Sequence, residues 1–204
     1  GNPPKKKFSK CYQSGPLSFE YFLDGIKIIS NSGFGDNISS KAELLSRLTA
    51  CQTTLTLNDT TVTKFERNKL INRIYGNSIK NTFKIYDVNI YKENKKIGCS
   101  ASHNGYEKKF GCSHKREIFF NKENGYLKGT DHIFKKKDGI PIRYVFRFHI
   151  NPELTAIKTM GGSSVLIQVS KKKSLIFTVT DEILEIEKSI FLGRKEILDN
   201  TCIT

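Results

Sequence analysis

No stretch of the chain approaches 18 consecutive apolar residues, which excludes a membrane-spanning helix. There is no CxxC pair, and the five cysteines, at 11, 51, 99, 112 and 202, are odd in number, so they cannot all pair within the chain. The first ten residues, GNPPKKKFSK, are basic but no apolar signal core follows, so no export signal is expected within this sequence and its start reads as a cut point or short tail. GxSxG is missing, and so is any Ser/His/Asp set of recognisable spacing. The glycine pairs GFG (33–35) and GG (161–162) lack the Lys-Ser/Thr of a phosphate loop and read as turns. A catalytic cysteine needs a base beside it, and the spacing nominates none. Neither an internal repeat nor a low-complexity linker interrupts the chain, so one continuous domain over 1–204 is the simplest account.

Among the 204 residues, 37% are hydrophobic and 11% aromatic, with 14 Phe and 8 Tyr, enough for a sizeable core. Thirty-four Lys and Arg stand against 20 Asp and Glu, a net charge of +14. That excess favours an anionic partner: acidic polysaccharide, nucleic acid or an anionic membrane surface. Lysine dominates it, with runs at 5–7, 135–137 and 171–173 that read more readily as solvated turns than as sites.

Strand signals dominate the pattern. LSFEYFL (17–23) and IKIIS (26–30) flank Asp24-Gly25, a two-residue hairpin signal. TTLTL (53–57), NTFKIYDVNIY (81–91), KREIFF (115–120) before the NKENG turn and YLKG, SVLIQV (164–169), SLIFTV (174–179) and EILEIEKSIFL (182–192) follow. RYVFRFHI (143–150) alternates strictly and predicts one strand with Tyr144, Phe146, Phe148 and Ile150 on its apolar face and Arg143, Val145, Arg147 and His149 on the other. Turn residues recur at short intervals, which predicts an antiparallel two-sheet β-sandwich. KAELLSRLTA (41–50), preceded by Ser39-Ser40, is the one segment with helical spacing.

Two constellations carry possible chemistry. Cys99, His103, Cys112 and His114 have metal-ligating side chains, but their spacing is not that of a zinc finger, and a hairpin bearing unrelated polar residues accounts for them better. Cys99 and Cys112 flank that hairpin and could bridge in an oxidising compartment. The second constellation is charged: His114 and Arg116 share one strand face, Asp131 and His132 follow in KGTDHIF, and Arg147 and His149 share a face of 143–150. One reading is a structural Asp–Arg fork that holds strand register; the other is a polar groove for carboxylates or sulfates. The expectation is a single cluster of His114, Arg116, Asp131, Arg147 and His149 on neighbouring strands, with Asp131 and Arg147 at its structural centre.

GPLSFEYFLDGIKIISNSGFG, LTACQTTLTLNDT, ASHNGYEKKFGCSHKREIFFNKENGYLKGTDHIF, FRFHINPELTA and SIFLG, in that order, resemble the C-terminal part of the heparinase II/III-like family, over roughly residues 10 to 195. The HKRE…LKGTDHIF…RFHINP series is the most specific portion. The resemblance implies a β-sandwich that follows a helical α/α toroid, in lyases that cleave uronic-acid glycosides by β-elimination. A base removes the proton α to the carboxylate, whose charge must be neutralised as in an oxyanion site. No toroid is read in this sequence, and the expectation is a fragment or the product of a split or truncated gene.

Members of the family carry histidines before the LSFE-like strand, an Asp after the next strand and a His in the segment matching ACQTTL. Here Tyr12 and Gln13, Asn31 and Gln52 stand at or near those positions. Amides are poor zinc ligands, so the family's metal site is expected to be dismantled, and no cofactor is expected. Tyr12, Gln13, Gln52, His114, Arg116, Arg147 and His149 are the candidate substrate-binding residues, with no catalytic residue among them. The reading is therefore the sandwich of a polysaccharide lyase-like protein, not catalytic alone. The alternatives are a non-catalytic binding module for anionic polysaccharide or nucleic acid, and a sandwich that only buttresses the toroid. Nucleic acid is the weaker partner, since no recognised nucleic-acid motif is present. The resemblance implies a cell-envelope or periplasmic location.

Overall fold

The computed structural model describes residues 1–136, 142–180, 182–193 and 195–204; Lys137, the end of one lysine run, lies outside them. Strands account for 47% and helices for 12%, in antiparallel sheets, as the alternation and turn spacing predict. The chain forms two compact units, one of residues 1–12 and 62–143, the other of 13–61 and 144–204.

The first strands are β1 (Tyr21–Leu23), β2 (Ile26–Ser30) and β3 (Leu55–Leu57). Next come β4 (Ile85–Lys92), β5 (Lys96–Tyr106), β6 (Cys112–Asn121) and β7 (Tyr126–Lys135). After them run β8 (Tyr144–Phe146), β9 (Phe148–Ile150), β10 (Thr155–Lys158), β11 (Ser164–Ser170), β12 (Lys173–Thr178), β13 (Ile186–Gly193) and β14 (Glu196–Ile203). The Asp24-Gly25 hairpin forms, with both residues at positive φ, as that turn requires. Lys171 and Lys172 occupy the exposed turn between β11 and β12.

The unit of 13–61 and 144–204 is a sandwich. A five-stranded sheet, ordered β1-β2-β9-β14-β13, faces a three-stranded sheet, β10-β11-β12. Ile29, Ile150 and Ile203 from the first sheet and Val165, Ile167 and Val169 from the second form one buried cluster, with Phe148 and Phe177 against it at 4.8 Å between ring centroids. Pairing alternates apolar and polar rows across the sheet: Ile29 opposite Ile150, then His149 opposite both Ser30 and Cys202. The polar rows are covered by the segment after helix α1 (Ser40–Ser46), which is capped by the Ser39 hydroxyl accepting from Ala42 N–H.

Residues 143–150 do not make one strand. They break at Arg147 into β8, which pairs with β3 in a two-stranded ribbon, and β9, which enters the five-stranded sheet. The cause is a tertiary contact: Arg147 N–H bonds to the Thr54 carbonyl at 3.2 Å and its guanidinium donates to Thr56 Oγ1 at 2.6 Å. Consequently Tyr144, expected to face the core, is half exposed, while His149, expected to face water, is 2% exposed.

The unit of 1–12 and 62–143 contains the antiparallel meander β4-β5-β6-β7 and two helices not foreseen in the sequence, α2 (Lys69–Tyr75) and α3 (Glu107–Phe110). The Asn68 side chain caps α2 by accepting from the N–H groups of Leu70 and Ile71. The Glu66 carboxylate anchors the surrounding loop through the N–H groups of Arg67 and Asn68 and the amines of Lys6 and Lys80. Strands β5, β10 and β14 were also unanticipated. In β5 the cause is composition, since KIGCSASHNGY is too rich in small residues to carry a strand signal.

Ile150 is fully buried and Ile157 is more than half exposed. Ile150→Ala is therefore expected to cost about 2–5 kcal/mol, against less than about 1 kcal/mol for Ile157→Ala, as read from urea midpoints; equal losses would contradict this placement of the core.

Candidate functional site

The residues of the expected charged cluster separate into two constellations, one in each unit. Arg116 and Asp131 face one another directly across β6 and β7. Arg116 Nε donates to Asp131 Oδ1 at 2.7 Å and Arg116 Nη2 to Oδ2 at 3.1 Å, a bidentate fork. The expected Asp131–Arg147 partnership is not formed. Arg147 instead holds Thr56 and lies 3.6 Å from Asp59, because the break at 147 takes it into the β3–β8 ribbon. The fork's register was latent in the sequence: Arg116 and Asp131 each lie six residues from the four-residue KENG loop (122–125), whose flanking Asn121 and Tyr126 pair.

The fork terminates a buried chain of hydrogen bonds. Gly105 N–H lies 3.1 Å from His103 Nδ1 and can only donate, so that nitrogen is bare and the ring proton sits on Nε2. His103 Nε2 therefore donates to His114 Nδ1 at 3.2 Å, and His114 Nε2 in turn donates to Asp131 Oδ1 at 2.6 Å. Every proton in the series is assigned by its neighbours, starting from one backbone amide. Gly105 has to be glycine, since a Cβ there would stand 2.3 Å from Val62 Cγ1 and 3.0 Å from His103 Nδ1. The rings of Phe83 and Tyr106 enclose His103 at 5.7 and 5.8 Å between centroids.

The electrostatics follow from burial. Burial pushes His103 down to about 3, with His114 and Arg116 lowering it further. His114 is also lowered, burial outweighing the pull of Asp131 toward the charged form. Burial would raise the Asp131 carboxyl, but His114 and Arg116 more than offset it and hold the group below the usual carboxylate range. At neutral pH the series is two neutral imidazoles and one ion pair.

His103 entered the sequence reading only as a metal candidate. The structure places it directly opposite His114 across β5 and β6. The two rings use their facing nitrogens on each other. Cys99 sits four residues up β5, roughly 13 Å away at the strand rise, and pairs with Ile118. Cys112 stands opposite Tyr106 and Lys135. The four do not converge, and among the described residues no group of three or more His, Cys, Asp or Glu could hold a metal ion. All five cysteines are free thiols.

The second constellation lies on the polar rows of the sandwich. His149 Nε2 bonds to the Ala50 carbonyl at 3.0 Å, so it carries the proton. Nδ1 then accepts from the hydroxyls of Ser32 at 3.2 Å and Ser189 at 3.4 Å. Burial lowers His149 to about 4, against the opposing effect of the Ala50 carbonyl and with help from Arg147.

The amide positions are likewise engaged. Gln52, 1% exposed, donates to the Ser46 carbonyl at 2.8 Å. Gln13 donates to the Gly33 carbonyl at 2.9 Å, and Asn31 accepts from Thr53 N–H at 2.8 Å. Tyr12 is half buried, and burial pushes its phenol up to about 12.

A family model described as "Heparinase II/III-like, C-terminal" matches residues 1–202, essentially the whole chain. No curated protein and no solved structure matches it.

Arg116→Ala and Asp131→Ala should each cost about 3–5 kcal/mol, since each strands a buried charge, and the double variant should cost little more than either. Arg147→Ala combined with Asp131→Ala should instead be additive within about 0.5 kcal/mol; coupling of that second pair would restore the single-cluster arrangement. The sign of the pH dependence is also fixed. His103 and His149 fold with pKa values of about 3 and about 4 against 6.5 ordinarily. Their contribution is present above 6.5 and is lost as pH falls toward the folded values. The urea midpoint should therefore drop between about pH 7 and about pH 5, and a flat profile would contradict buried neutral histidines.

Proposed function

The chain belongs to the heparinase II/III-like family as its C-terminal β-sandwich portion, and from that membership we propose that it binds acidic, uronic-acid polysaccharide and supports lyase action without performing the chemistry alone. The observation that carries this reading is the closed hydrogen-bond series from Gly105 to Arg116. β-Elimination needs a base able to reach the proton α to the carboxylate. His103, His114 and His149 are buried, neutral and already bonded on both ring nitrogens, and the Tyr12 phenol is held protonated. Such groups organise a fold better than they exchange protons with a polymer.

The net charge of +14 supplies the attraction that a polyanion requires. Of the candidate substrate-binding residues, Tyr12, Gln13 and Arg147 keep partial exposure and are the ones we assign to polymer contact. Gln52, His114, Arg116 and His149 are buried, and we assign them a structural role. The toroid that the resemblance implies is the partner we propose for the catalytic residues, in the cell envelope or periplasm. Among the described residues no helix is long and apolar enough to cross a membrane.

The purified chain, mixed with heparin, alginate or polygalacturonate, should bind at low ionic strength and release as salt approaches about 1 M, where charges are screened beyond about 3 Å. It should generate no ultraviolet-absorbing unsaturated uronate. Steady product formation by this chain, abolished in His114→Gln, would overturn the assignment and make the histidine series catalytic.

A further inference from the structure

The four-stranded meander has two faces, and the histidine series occupies only one end of one of them. On the opposite face a row runs straight across the sheet: Tyr91 on β4 is paired with Gly98 on β5, Gly98 with Phe119 on β6, and Phe119 with Lys128 on β7. The adjoining row is Lys96, Asn121 and Tyr126. At a strand spacing near 4.8 Å the first row extends for about 14 Å. The missing side chain at position 98 shapes it, since a Cβ there would lie 2.4 Å from Phe119 Cδ1. The Phe119 ring is thereby free to lie over β5 and meet the Tyr91 ring at 5.3 Å between centroids, tilted by 37°. Around these rings is a cleft of about 470 Å³ whose lining includes Tyr126, Lys96 and Lys128.

This is an unusual use of exposed surface. Tyr126 is 59% exposed and Tyr91 40%, and with Phe119 they line one cleft rimmed by polar side chains, the contiguous arrangement that marks an interaction site rather than scattered exposure. Their flat faces suit the apolar C–H face of a pyranose ring, while a phenol, the Asn121 amide and two ammonium groups suit hydroxyls and anionic substituents. Lys96 and Lys128 are exposed and outnumber the one carboxylate of the lining, Glu93.

We propose that the cleft formed by Tyr91, Phe119, Tyr126, Lys96 and Lys128 is a subsite for an acidic oligosaccharide, with sugar rings on the aromatics and carboxylate or sulfate groups on the lysines. The subsite rests on the polysaccharide reading above and gives it a place. It is separate from the buried histidines, so it can hold polymer without taking part in bond cleavage.

Binding of polygalacturonate and heparin oligosaccharides to the full chain can be followed by titration calorimetry at low salt. The parent is compared with Tyr126→Ala, Lys128→Gln and, as a control of equal charge change in the exposed β11–β12 turn, Lys172→Gln. Both test positions are exposed, so the variants should fold; unchanged melting and circular dichroism verify it. Tyr126→Ala and Lys128→Gln should each weaken binding about fivefold or more, the level of an energetically important contact, and Lys172→Gln less than about twofold. If the parent binds neither polymer, the polysaccharide reading itself fails. If the parent binds and the cleft variants match Lys172→Gln, the subsite is overturned while that reading stands. If poly(dT) binds more tightly than either polymer and loses affinity in the cleft variants, the face is a single-stranded nucleic-acid platform and the proposal is overturned.

Discussion

A carboxylate taken out of water must find donors, and much of the meander unit is arranged around giving Asp131 its three. Arg116 supplies two and His114 the third. His114 can donate from Nε2 only while its Nδ1 accepts, so it needs His103, and His103 needs the Gly105 amide. Register and tautomer are thus parts of one constraint. A slip of β6 against β7 by one residue would turn Arg116 to the other face and leave the carboxylate with an unmatched partner.

The sandwich unit meets the same demand with different materials. Its apolar rows close a conventional core, but its polar rows are buried too, under the 46–56 segment. Hydroxyls do most of the work there: Thr53 bonds to the Ser30 carbonyl, Thr54 to the Pro16 carbonyl, and Ser32 to His149. Small hydroxyl groups suit this layer because each can satisfy a nearby backbone group while adding little volume. At two positions where the resemblance implies metal ligands, Gln52 and Asn31 hold backbone groups instead: Gln52 donates to the Ser46 carbonyl and Asn31 accepts from Thr53 N–H.

These interiors explain why the charge of the molecule and its titratable chemistry point in different directions. His103, His114 and His149 are inside and held neutral, while the fourth histidine, His132, is exposed on β7 and most of the lysines that create the positive excess are outside. Under the polysaccharide reading proposed above, a polyanion would meet ammonium groups and exposed aromatics rather than these buried imidazoles.

By itself the sequence determined the strand-rich class, the Asp24-Gly25 hairpin, the first helix and the family, because alternation, turn chemistry and motif order are local properties. A four-residue KENG loop at 122–125 even contained the Arg116–Asp131 register, although the sequence reading pairs Asp131 with Arg147 instead. Only the tertiary structure decided that RYVFRFHI breaks at Arg147, since the break depends on Thr54 and Thr56, some ninety residues earlier in the chain. It also decided that β5 is a strand. Gly98, Ser100, Ala101 and Ser102 have little strand preference of their own; they are extended because β4 and β6 bond them on both sides and because side chains such as Phe119 need the space that small residues leave.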